Sequence, residues 1–406
     1  MTGVATQSFA ALRHPQYRAY FFFSALAMMG DSIEHVISYW ILFEKFHSPA
    51  LAGFAMLSHW LPHLFFAVLS GALADRFDPR RVIQVGMACF MLASLGWGVL
   101  FLGGTLEMWQ AAALLVIHGM AGMLWGPAAQ VFIHDIIDPP RLPSAIRLAA
   151  TARYLGLLFG PAVGGVILLL MGPAWGILFN VLIYLPLIAW LWKAPYQRSG
   201  EKLTRIRGYR EIFLVIKQIS GNPTIVGMTL LAGGASFMVG NAYQPQIPEF
   251  AHDLGKMDGG ITYSMLLGAD AAGALTAGLL LEARGLLPPR PRTACILAML
   301  WCVALASFAF SDNYFFSLAV LFCAGFMELA FYTMAQTLVQ LNAPPAIRGR
   351  VIGLFVMAAL GMRAFGGVTV GLGGALVGIH WSLALSAATL LVLIALLFLR
   401  HQRTWP

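Results

Sequence analysis

Three ionisable side chains, Asp31, Glu34 and His35, lie inside a long apolar stretch, where a charged group is costly. Their i, i+3, i+4 spacing places them on one face of a helix. Two carboxylates one turn apart cannot both ionise cheaply in a partly desolvated site, so at least one should take up a proton near neutral pH. We predict that Asp31 is the main proton site and Glu34 its partner in substrate binding, with His35 and Arg153 modulating both. Either carboxylate could instead be a structural hydrogen-bonding group.

Further polar and aromatic side chains lie in other apolar stretches and are candidates for the wall of a cavity. A charge at the centre of a spanning helix costs about 2.5–3.5 kcal/mol on insertion scales, so such residues usually face a cavity and have a role. Arg153 fits a counter-ion to a carboxylate as well as a substrate ligand, and Arg363 is a second buried charge. Most aromatic residues here should be core or interfacial residues, and a minority should line the cavity. The predicted cavity residues are Tyr39, Trp125, Tyr154, Tyr243, Asp270, Glu328 and Tyr332.

Three more histidines, His59, His63 and His118, are scattered through apolar stretches with no carboxylate at a metal-ligand spacing. We interpret them as core residues with satisfied hydrogen bonds, and we predict no metal site and no cofactor. The four cysteines have no CxxC spacing and read as small core residues rather than a zinc or disulfide framework. They are Cys89, Cys295, Cys302 and Cys323.

The elements that must position these side chains are helices that span a membrane. Of the 406 residues, 59% are hydrophobic and only 10% are charged, against about 25% charged in soluble domains. A chain this apolar could not cover its own surface in water. Twelve stretches are long enough to span, since about 20 apolar residues are needed. They are residues 17–42, 50–72, 82–103, 108–131, 144–171, 174–192, 223–247, 260–281, 293–311, 313–337, 351–378 and 381–399.

The basic residues predict the orientation of these spans. With the N-terminus inside, only Lys45 and Lys256 of the 25 Lys and Arg residues fall outside the cell, and Arg153 and Arg363 fall within spans. Because cytoplasmic loops carry the excess of Lys and Arg, both termini should be cytoplasmic. The net charge of +8 then belongs to this topology and does not indicate nucleic-acid binding. The basic linker, residues 193–222, should include an amphipathic piece on the membrane surface.

The chain repeats itself at a spacing of about 206 residues. The segment GALADR at 71–76 recurs as GLLLEAR at 278–284. Ala-Gln and Pro-Pro pairs at 129–130 and 139–140 recur at 335–336 and 344–345. We therefore predict an all-α membrane protein of twelve transmembrane helices in two six-helix halves, residues 1–192 and 223–406, joined by linker 193–222. In such a plan the substrate site lies near the midplane, between the halves.

The segment GALADRFDPRR, residues 71–81, connects the second and third spans. It resembles the signature loop of the major facilitator superfamily, and the twelve-helix plan fits that family over the whole chain. Gly71 should let a neighbouring helix approach closely, and Asp75 should bind Arg side chains or the positive N-terminus of a facing helix. In the second copy Glu282 replaces Asp, which predicts a weaker contact (a weaker latch) with the facing helix. The predicted gating residues are Gly71, Asp75, Arg76, Arg80, Arg81, Glu282 and Arg284.

The fifth span contains GLLFGPAVGG, residues 156–165, which resembles the glycine-proline motif of proton-coupled exporters in this superfamily. Its glycines should form a smooth packing face, and Pro161 should bend the helix. The motif residues are Gly156, Gly160, Pro161, Gly164 and Gly165. The segments LRHPQYRAYFF, SHWLPHLFFAVLSGALADR and FYTMAQTLVQ also resemble the bacterial drug and siderophore exporters of the enterobactin-exporter type. That resemblance implies efflux of an amphipathic small molecule, driven by protons.

The sequence argues against several other classes of function. It has no GxxxxGK[ST] phosphate loop for ATP, and no polar segment long enough for a soluble catalytic domain. Ser58-His59 has no third partner, so we predict that the chain is not an enzyme. We expect a monomer in the bacterial inner membrane whose partners are protons, membrane lipid and a small-molecule substrate. A symporter that imports a small solute, a lysophospholipid carrier and a non-transporting receptor remain alternatives.

Overall fold

The computed structural model describes residues 9–46, 49–196, 210–240, 243, 247–254, 261–284, 287–366, 370 and 376–401. These residues contain helices and no strand, as the sequence predicts. A π-helical turn, Met357–Gly361, follows α12. The α-helices are α1 (Pro15–Phe46), α2 (Pro49–Arg76), α3 (Pro79–Leu102), α4 (Met108–Ile136), α5 (Leu142–Lys193), α6 (Arg210–Ile219), α7 (Pro223–Met238), α8 (Ile247–Asp253), α9 (Ile261–Arg284), α10 (Pro291–Ala309), α11 (Tyr314–Asn342), α12 (Arg348–Val356), α13 (Arg363–Gly366) and α14 (Ile379–His401).

Most predicted spans agree with these helices to within a few residues, and the seventh does not. It was predicted to continue to residue 247, but α7 ends at Met238, just before Gly240 with its positive φ of 51°. The eleventh, predicted over 351–378, runs through α12, the π-helical turn and α13 as one segment long enough to span, Pro345–Gly366, and residues 367–369 and 371–375 lie outside the described part of the chain. Hydropathy cannot detect the end of α7 because apolar composition continues beyond it.

The fifth and sixth spans form one helical segment, α5, that is interrupted at Gly172. This residue has φ 73° and ψ 170°, the one non-helical conformation inside α5. Such a conformation is open to glycine and strained for other residues. Gly172 therefore marks the turn between two spans that run back along each other.

The surface of the structure is that of a membrane protein. Nine helical segments of the described chain are long and apolar enough to cross a membrane. On α5, Leu169 and Leu170 are 87% and 80% exposed, as suits side chains that face lipid. Helix α6, in the predicted linker, packs on α12 and α2, with Val215 and Ile219 buried. Residues 197–209 of the predicted linker lie outside the described part of the chain.

The packed apolar residues fall into separate groups along the chain. Apart from a few members, one group lies within residues 215–394, and two others lie within residues 11–191. The residues that pack across this division are Val68, Ile352, Val356 and Leu360. They belong to α2 and to the segment that contains α12 and the π-helical turn, so this contact joins the two groups.

Glycines allow α2 to pack directly along α12 and the π-helical turn. A Cβ atom added to Gly71 would lie 2.0 Å from the Gly349 carbonyl oxygen, and one added to Gly353 would lie 2.4 Å from that of Ala67. Gly361 approaches the Leu64 backbone in the same way, because an added Cβ atom would lie 2.5 Å from the Leu64 Cα. Backbones this close exclude any side chain, so the register of these elements is tightly constrained.

Candidate functional site

The predicted glycine face on α5 packs against α1 and so positions the ionisable residues of α1. A Cβ atom on Gly156 would contact Met28, one on Gly160 would lie 2.2 Å from the Ser32 Cβ, and one on Gly164 would contact Val36. Gly165 was predicted to belong to the same face, which is wrong: a Cβ atom added there meets no described residue within 4 Å. Gly165 follows Gly164 directly, so it points to another side of the helix. The backbone at Pro161 stays helical, while its side chain lies outside the described residues.

A second close approach joins α2 to α4 at the level of two histidines. A Cβ atom on Gly119 would lie 1.9 Å from the Ser58 carbonyl oxygen. His118 and His59 are the neighbours of these two residues in the chain, and their ring centroids are 5.8 Å apart. The contact of the two backbones therefore brings histidines from separate helices together beside α1.

His118 lies between the two carboxylates of α1. Its Nδ1 is 2.8 Å from Glu34 Oε1, and its Nε2 is 3.0 Å from Asp31 Oδ1. The other oxygen of Glu34, Oε2, accepts a hydrogen bond of 2.5 Å from Ser94 Oγ. Glu34 is 1% exposed, so its charge is buried and held by these two partners. Asn180 extends the network, because its Nδ2 donates to Ser94 Oγ at 3.3 Å.

His35 and His59 complete a compact group with these residues. The His35 ring centroid is 4.6 Å from that of His118 and 4.9 Å from that of His59. We call Asp31, Glu34, His35, His59 and His118 the helix-1 cluster. The interpretation of the histidines as scattered core residues is therefore wrong for His118, which contacts both carboxylates of α1, and for His59, whose ring packs against those of His35 and His118. Spacing along the sequence cannot show a juxtaposition that depends on the packing of α1, α2 and α4.

Arg153 and Arg363 form no ion pair with the helix-1 cluster within the described residues. Arg363 Nη2 is 3.7 Å from Glu328 Oε1, and its guanidinium lies 5.2 Å from the centre of the Trp60 ring. It thus connects α13 with α11 and α2. The electrostatic neighbours of Arg153 are Arg363, Tyr332, Tyr154 and Asp31. Arg153 is therefore near enough to Asp31 for an electrostatic interaction, although no ion pair joins the two.

The predicted cavity residues have different surroundings. Tyr243 is fully buried and its hydroxyl donates to Asp270 Oδ1 at 3.2 Å, which joins two of them. Trp125 is 8% exposed and packs in the core beside Phe90, so it does not face open space. Tyr154 and Tyr332 are partly buried against the core of the second half. The side chain of Tyr39 lies outside the described residues.

Asp75, at the C-terminal end of α2, contacts the start of α12. Its two carboxylate oxygens accept hydrogen bonds from the backbone N–H groups of Gly349, at 2.7 Å, and Arg350, at 3.0 Å. Backbone N–H groups in the first turn have no partner within their own helix, and the helix dipole favours a negative charge there. Asp75 is 4% exposed, so this is a buried charge-assisted contact between distant parts of the chain.

Glu282, its counterpart in the second copy of the motif, makes the reciprocal contact from α9 to the start of α5. It accepts a hydrogen bond from Ser144 Oγ and forms an ion pair with Arg147, whose Nη2 is 2.9 Å from Oε2. Glu282 is 1% exposed. Its longer side chain therefore reaches charged and hydroxyl donors, and nothing in this geometry indicates the weaker latch that the sequence predicts.

The arginines of the predicted gating motif contact their own surroundings instead of the second half. Arg80 binds Asp78 and donates to the Ala194 carbonyl oxygen at 2.5 Å, and Arg81 donates to Gln84 at 2.9 Å. Arg76 lies over the ring of Phe77. Arg284 is exposed at the end of α9. These residues fasten the connections at this end of the molecule.

We call the contacts of Asp75 with the start of α12 and of Glu282 with the start of α5 the two latches. Sequence reasoning missed the partners of both acidic residues. They are Ser144, Arg147, Gly349 and Arg350. The available signal was the repeated Pro-Pro pair, which begins a short 3-10 helix just before α5 and another just before α12. The repeat places the starts of α5 and α12 at equivalent positions in the two copies. Each start could therefore have been matched with the acidic residue of the motif in the other copy.

Comparison with known proteins agrees with the helical architecture. A family model described as "transmembrane secretion effector" matches residues 6–405. The chain is also similar to the enterobactin exporter EntS of Escherichia coli strain K12, with 25% identity over 420 residues that cover 97% of this chain and 94% of the relative. The family model therefore covers nearly the whole chain.

Solved transporter structures share the fold at low sequence identity. The human organic anion transporter MFSD10 superposes with a TM-score of 0.76 at 14% identity, over 94% of this chain and 99% of that one. The fucose:proton symporter FucP of E. coli superposes with a TM-score of 0.73 at 14% identity, over 96% of this chain and 99% of FucP. At such identities the likeness concerns the fold alone.

Proposed function

Because the chain belongs to the transmembrane secretion effector family of the major facilitator superfamily, we propose that it is a proton-coupled exporter of an amphipathic small molecule, such as a drug or a siderophore. The chain is a multi-pass membrane transporter with the twelve-helix fold, and it is not an enzyme. The proposal adds the direction of transport, the coupling ion and the class of cargo.

The two reciprocal latches are the observation that supports a mechanism of alternating access. Asp75 binds the start of α12, and Glu282 binds the start of α5. Both contacts close the same end of the molecule, and both are buried polar contacts that can exchange protein partners for water. Breaking them together would open this end, while the contact between α2 and the π-helical turn could act as the pivot. We propose that this closed end is the cytoplasmic one.

Export and the amphipathic cargo rest on two further observations. The glycine face of α5 packs on α1 at Gly156, Gly160 and Gly164, as in the motif that resembles proton-coupled exporters. The relative that covers 97% of the chain is named as an exporter of enterobactin, a siderophore. Import of a small solute and carriage of a lysophospholipid are the alternatives, and both are outcomes of the transport test.

The proposed coupling residues remain Asp31, Glu34, His35 and Arg153. The alternatives are Asp270 and Glu328, of which Glu328 pairs with Arg363 where α11, α13 and α2 meet. Glu34 is 1% exposed, and the side chains of Asp31 and Glu328 are 15% and 12% exposed. Each carboxylate is therefore largely shielded from water and would respond to a change of conformation. Transport by variants in which one carboxylate is replaced by its neutral amide distinguishes the proposed coupling residues from the alternatives.

The test is transport into inside-out vesicles, screened with dyes, siderophores and lysophospholipids, with and without a proton gradient that is acid inside. We expect uptake of an amphipathic compound that needs the gradient. Asp31→Asn should abolish gradient-driven uptake while downhill exchange persists. Asp312→Asn, at an exposed loop residue, is the control and should transport normally.

Two results would count against the proposal. Full gradient-driven uptake in the Asp31→Asn, Glu34→Gln double variant, together with loss in Glu328→Gln, would transfer the coupling to Glu328. Uptake by right-side-out vesicles alone, under an inward proton gradient, would make the chain an importer.

A further inference from the structure

Three imidazole rings from three helices meet in the helix-1 cluster. His35 lies on α1, His59 on α2 and His118 on α4, and one ligand nitrogen from each lies within 4.8 Å of the others. A small cavity lies among them, with about 10 Å³ open to the centre of a water molecule, and it is lined by all three rings and by Glu34. That volume suits one water molecule or one ion.

Hydrogen bonds define which ring nitrogens carry protons. His35 Nδ1 lies 2.8 Å from the Asp31 carbonyl oxygen, which can only accept, so Nδ1 is the donor. His118 Nδ1 lies 2.8 Å from the Glu34 carboxylate and donates in the same way. In a neutral imidazole the other nitrogen, Nε2, then carries a lone pair. This arrangement, with a carboxylate or carbonyl behind the ring, orients histidines that bind metal ions.

Buried polar atoms around the cavity lack the partners they need. Among the described residues, His59 Nδ1, His118 Nε2 and Asp31 Oδ1 have no hydrogen-bond partner, although the last two atoms are only 3.0 Å apart. With its proton on Nδ1, His118 presents a lone pair to the lone pairs of a carboxylate. Two acceptors that face each other across 3.0 Å repel unless a cation or a proton lies between them.

We propose that His35, His59, His118 and Asp31 form a binding site for one divalent transition-metal ion of the Zn²⁺ type. Imidazole nitrogen is a preferred ligand of Zn²⁺, whereas Mg²⁺ and Ca²⁺ favour sites made of oxygen ligands. Three histidines and one carboxylate supply the four ligands of a tetrahedral site. A dication would also balance the two carboxylates of the cluster. The site goes beyond the proposed function and shares Asp31 and His35 with the proposed coupling residues, so a bound metal ion and the coupling protons would compete for them.

The geometry needs only a modest contraction to hold the ion. Ligand nitrogens about 2.0–2.1 Å from a tetrahedral zinc are roughly 3.3 Å apart, compared with at most 4.8 Å here. Small rotations of the imidazole rings into the cavity would supply the difference. Glu34 would act as a positioning residue behind His118, and Ser94 would hold Glu34 in turn.

The test is binding of Co²⁺, a spectroscopic substitute for Zn²⁺, to the purified full-length protein in detergent after removal of any polyhistidine tag. We expect one Co²⁺ per chain with the intense visible absorption of tetrahedral coordination, and displacement by equimolar Zn²⁺. His59→Ala should weaken binding by more than tenfold. Ser94→Ala should weaken it by about tenfold, as for other residues behind a ligand.

His63→Ala is the matched control, because His63 lies one turn from His59 on α2 and is not part of the group of three. It should bind Co²⁺ like the wild type. His59→Gln, which keeps a polar side chain, replaces the alanine variant if that variant does not fold, as judged by gel filtration and by thermal unfolding without metal. Absence of saturable binding in the folded wild type would overturn the proposal. Binding unchanged by the His59 substitution, or lost equally in His63→Ala, would overturn it as well.

Discussion

Two acidic side chains make the buried contacts that we propose as latches at the same end of the molecule, and they do so by different chemistry. Asp75 accepts from backbone N–H groups at the start of a helix, so its contact depends on the helix being formed. Glu282 accepts from the side chains of Ser144 and Arg147. A charge-assisted hydrogen bond contributes about 1.5–3 kcal/mol. Because both carboxylates are buried, each contact must be replaced by hydration when this end opens.

We predict that Asp75→Asn shifts the population towards the state open at this end by about 1–2 kcal/mol, as expected for a lost charge-assisted contact. The amide removes the negative charge that the N-terminus of α12 favours. Spin-label distances across this face, between the ends of α2 and α11, would report the shift.

Asp78→Asn is the control, because Asp78 lies in the same connection but caps α3 and contacts Arg80 within its own half. Unchanged distances in Asp75→Asn, or an equal shift in the control, would contradict the latch.

At the scale of elements, glycines decide which helices touch and at what register. Gly160 lets α5 lie against Ser32 on α1, one residue from Asp31, while Gly119 lets α4 lie against the α2 backbone beside His59. These two contacts bring α1, α2 and α4 into the arrangement that forms the helix-1 cluster. In a membrane, close packing of this kind contributes much of the association between helices.

Gly160→Ala and Gly165→Ala should therefore differ, although the two glycines belong to one motif. An alanine at 160 would place its Cβ 2.2 Å from the Ser32 Cβ, and such overpacking costs about 1–3 kcal/mol. An alanine at 165 meets open space and should be neutral or stabilise the helix by about 0.5–1 kcal/mol. Thermal unfolding of both variants in one detergent gives the comparison. Equal stabilities would mean that α1 and α5 are not packed as described.

At the scale of the whole molecule, the reciprocal latches and the two sets of apolar cores agree with a chain built from a duplicated unit. The predicted boundaries, residues 1–192, 193–222 and 223–406, stay a prediction. The contact of α2 with α12 and the π-helical turn runs along much of α2, so the two parts are joined over a long surface. Relative motion of the parts must therefore pivot on this contact or slide along it.

Cysteine labelling tests the orientation of the whole molecule. Asp312 and Asp138 are both exposed in loops, and the predicted topology puts Asp312 outside the cell and Asp138 inside. In a background that lacks the exposed Cys323, a membrane-impermeant thiol reagent should label Asp312→Cys and not Asp138→Cys. Two further variants are at residues outside the described part of the chain. The reagent should label Lys256→Cys, like Asp312→Cys, and should not label Arg205→Cys. Labelling of Arg205→Cys or Asp138→Cys from outside would reverse the topology.

The sequence by itself determined the membrane class, most helix boundaries and the acidic residues of both latches. Hydropathy is a local property, because each spanning segment must satisfy its own backbone hydrogen bonds and present apolar side chains to lipid. The motif repeat revealed Asp75 and Glu282 for a similar reason, since a glycine and an acidic residue at a helix end keep their spacing in both copies.

Only the tertiary structure decided what these residues meet. Glu34 and His118 are 84 residues apart, and Asp75 and Gly349 are 274 residues apart. Their contacts depend on the register of packed helices, which is set by the fit of glycines against backbones and leaves no periodic trace in the sequence. For the same reason hydropathy predicted that the seventh span continues to residue 247, beyond the end of α7 at Met238. The histidines that looked scattered along the chain became neighbours because three helices cross at one level.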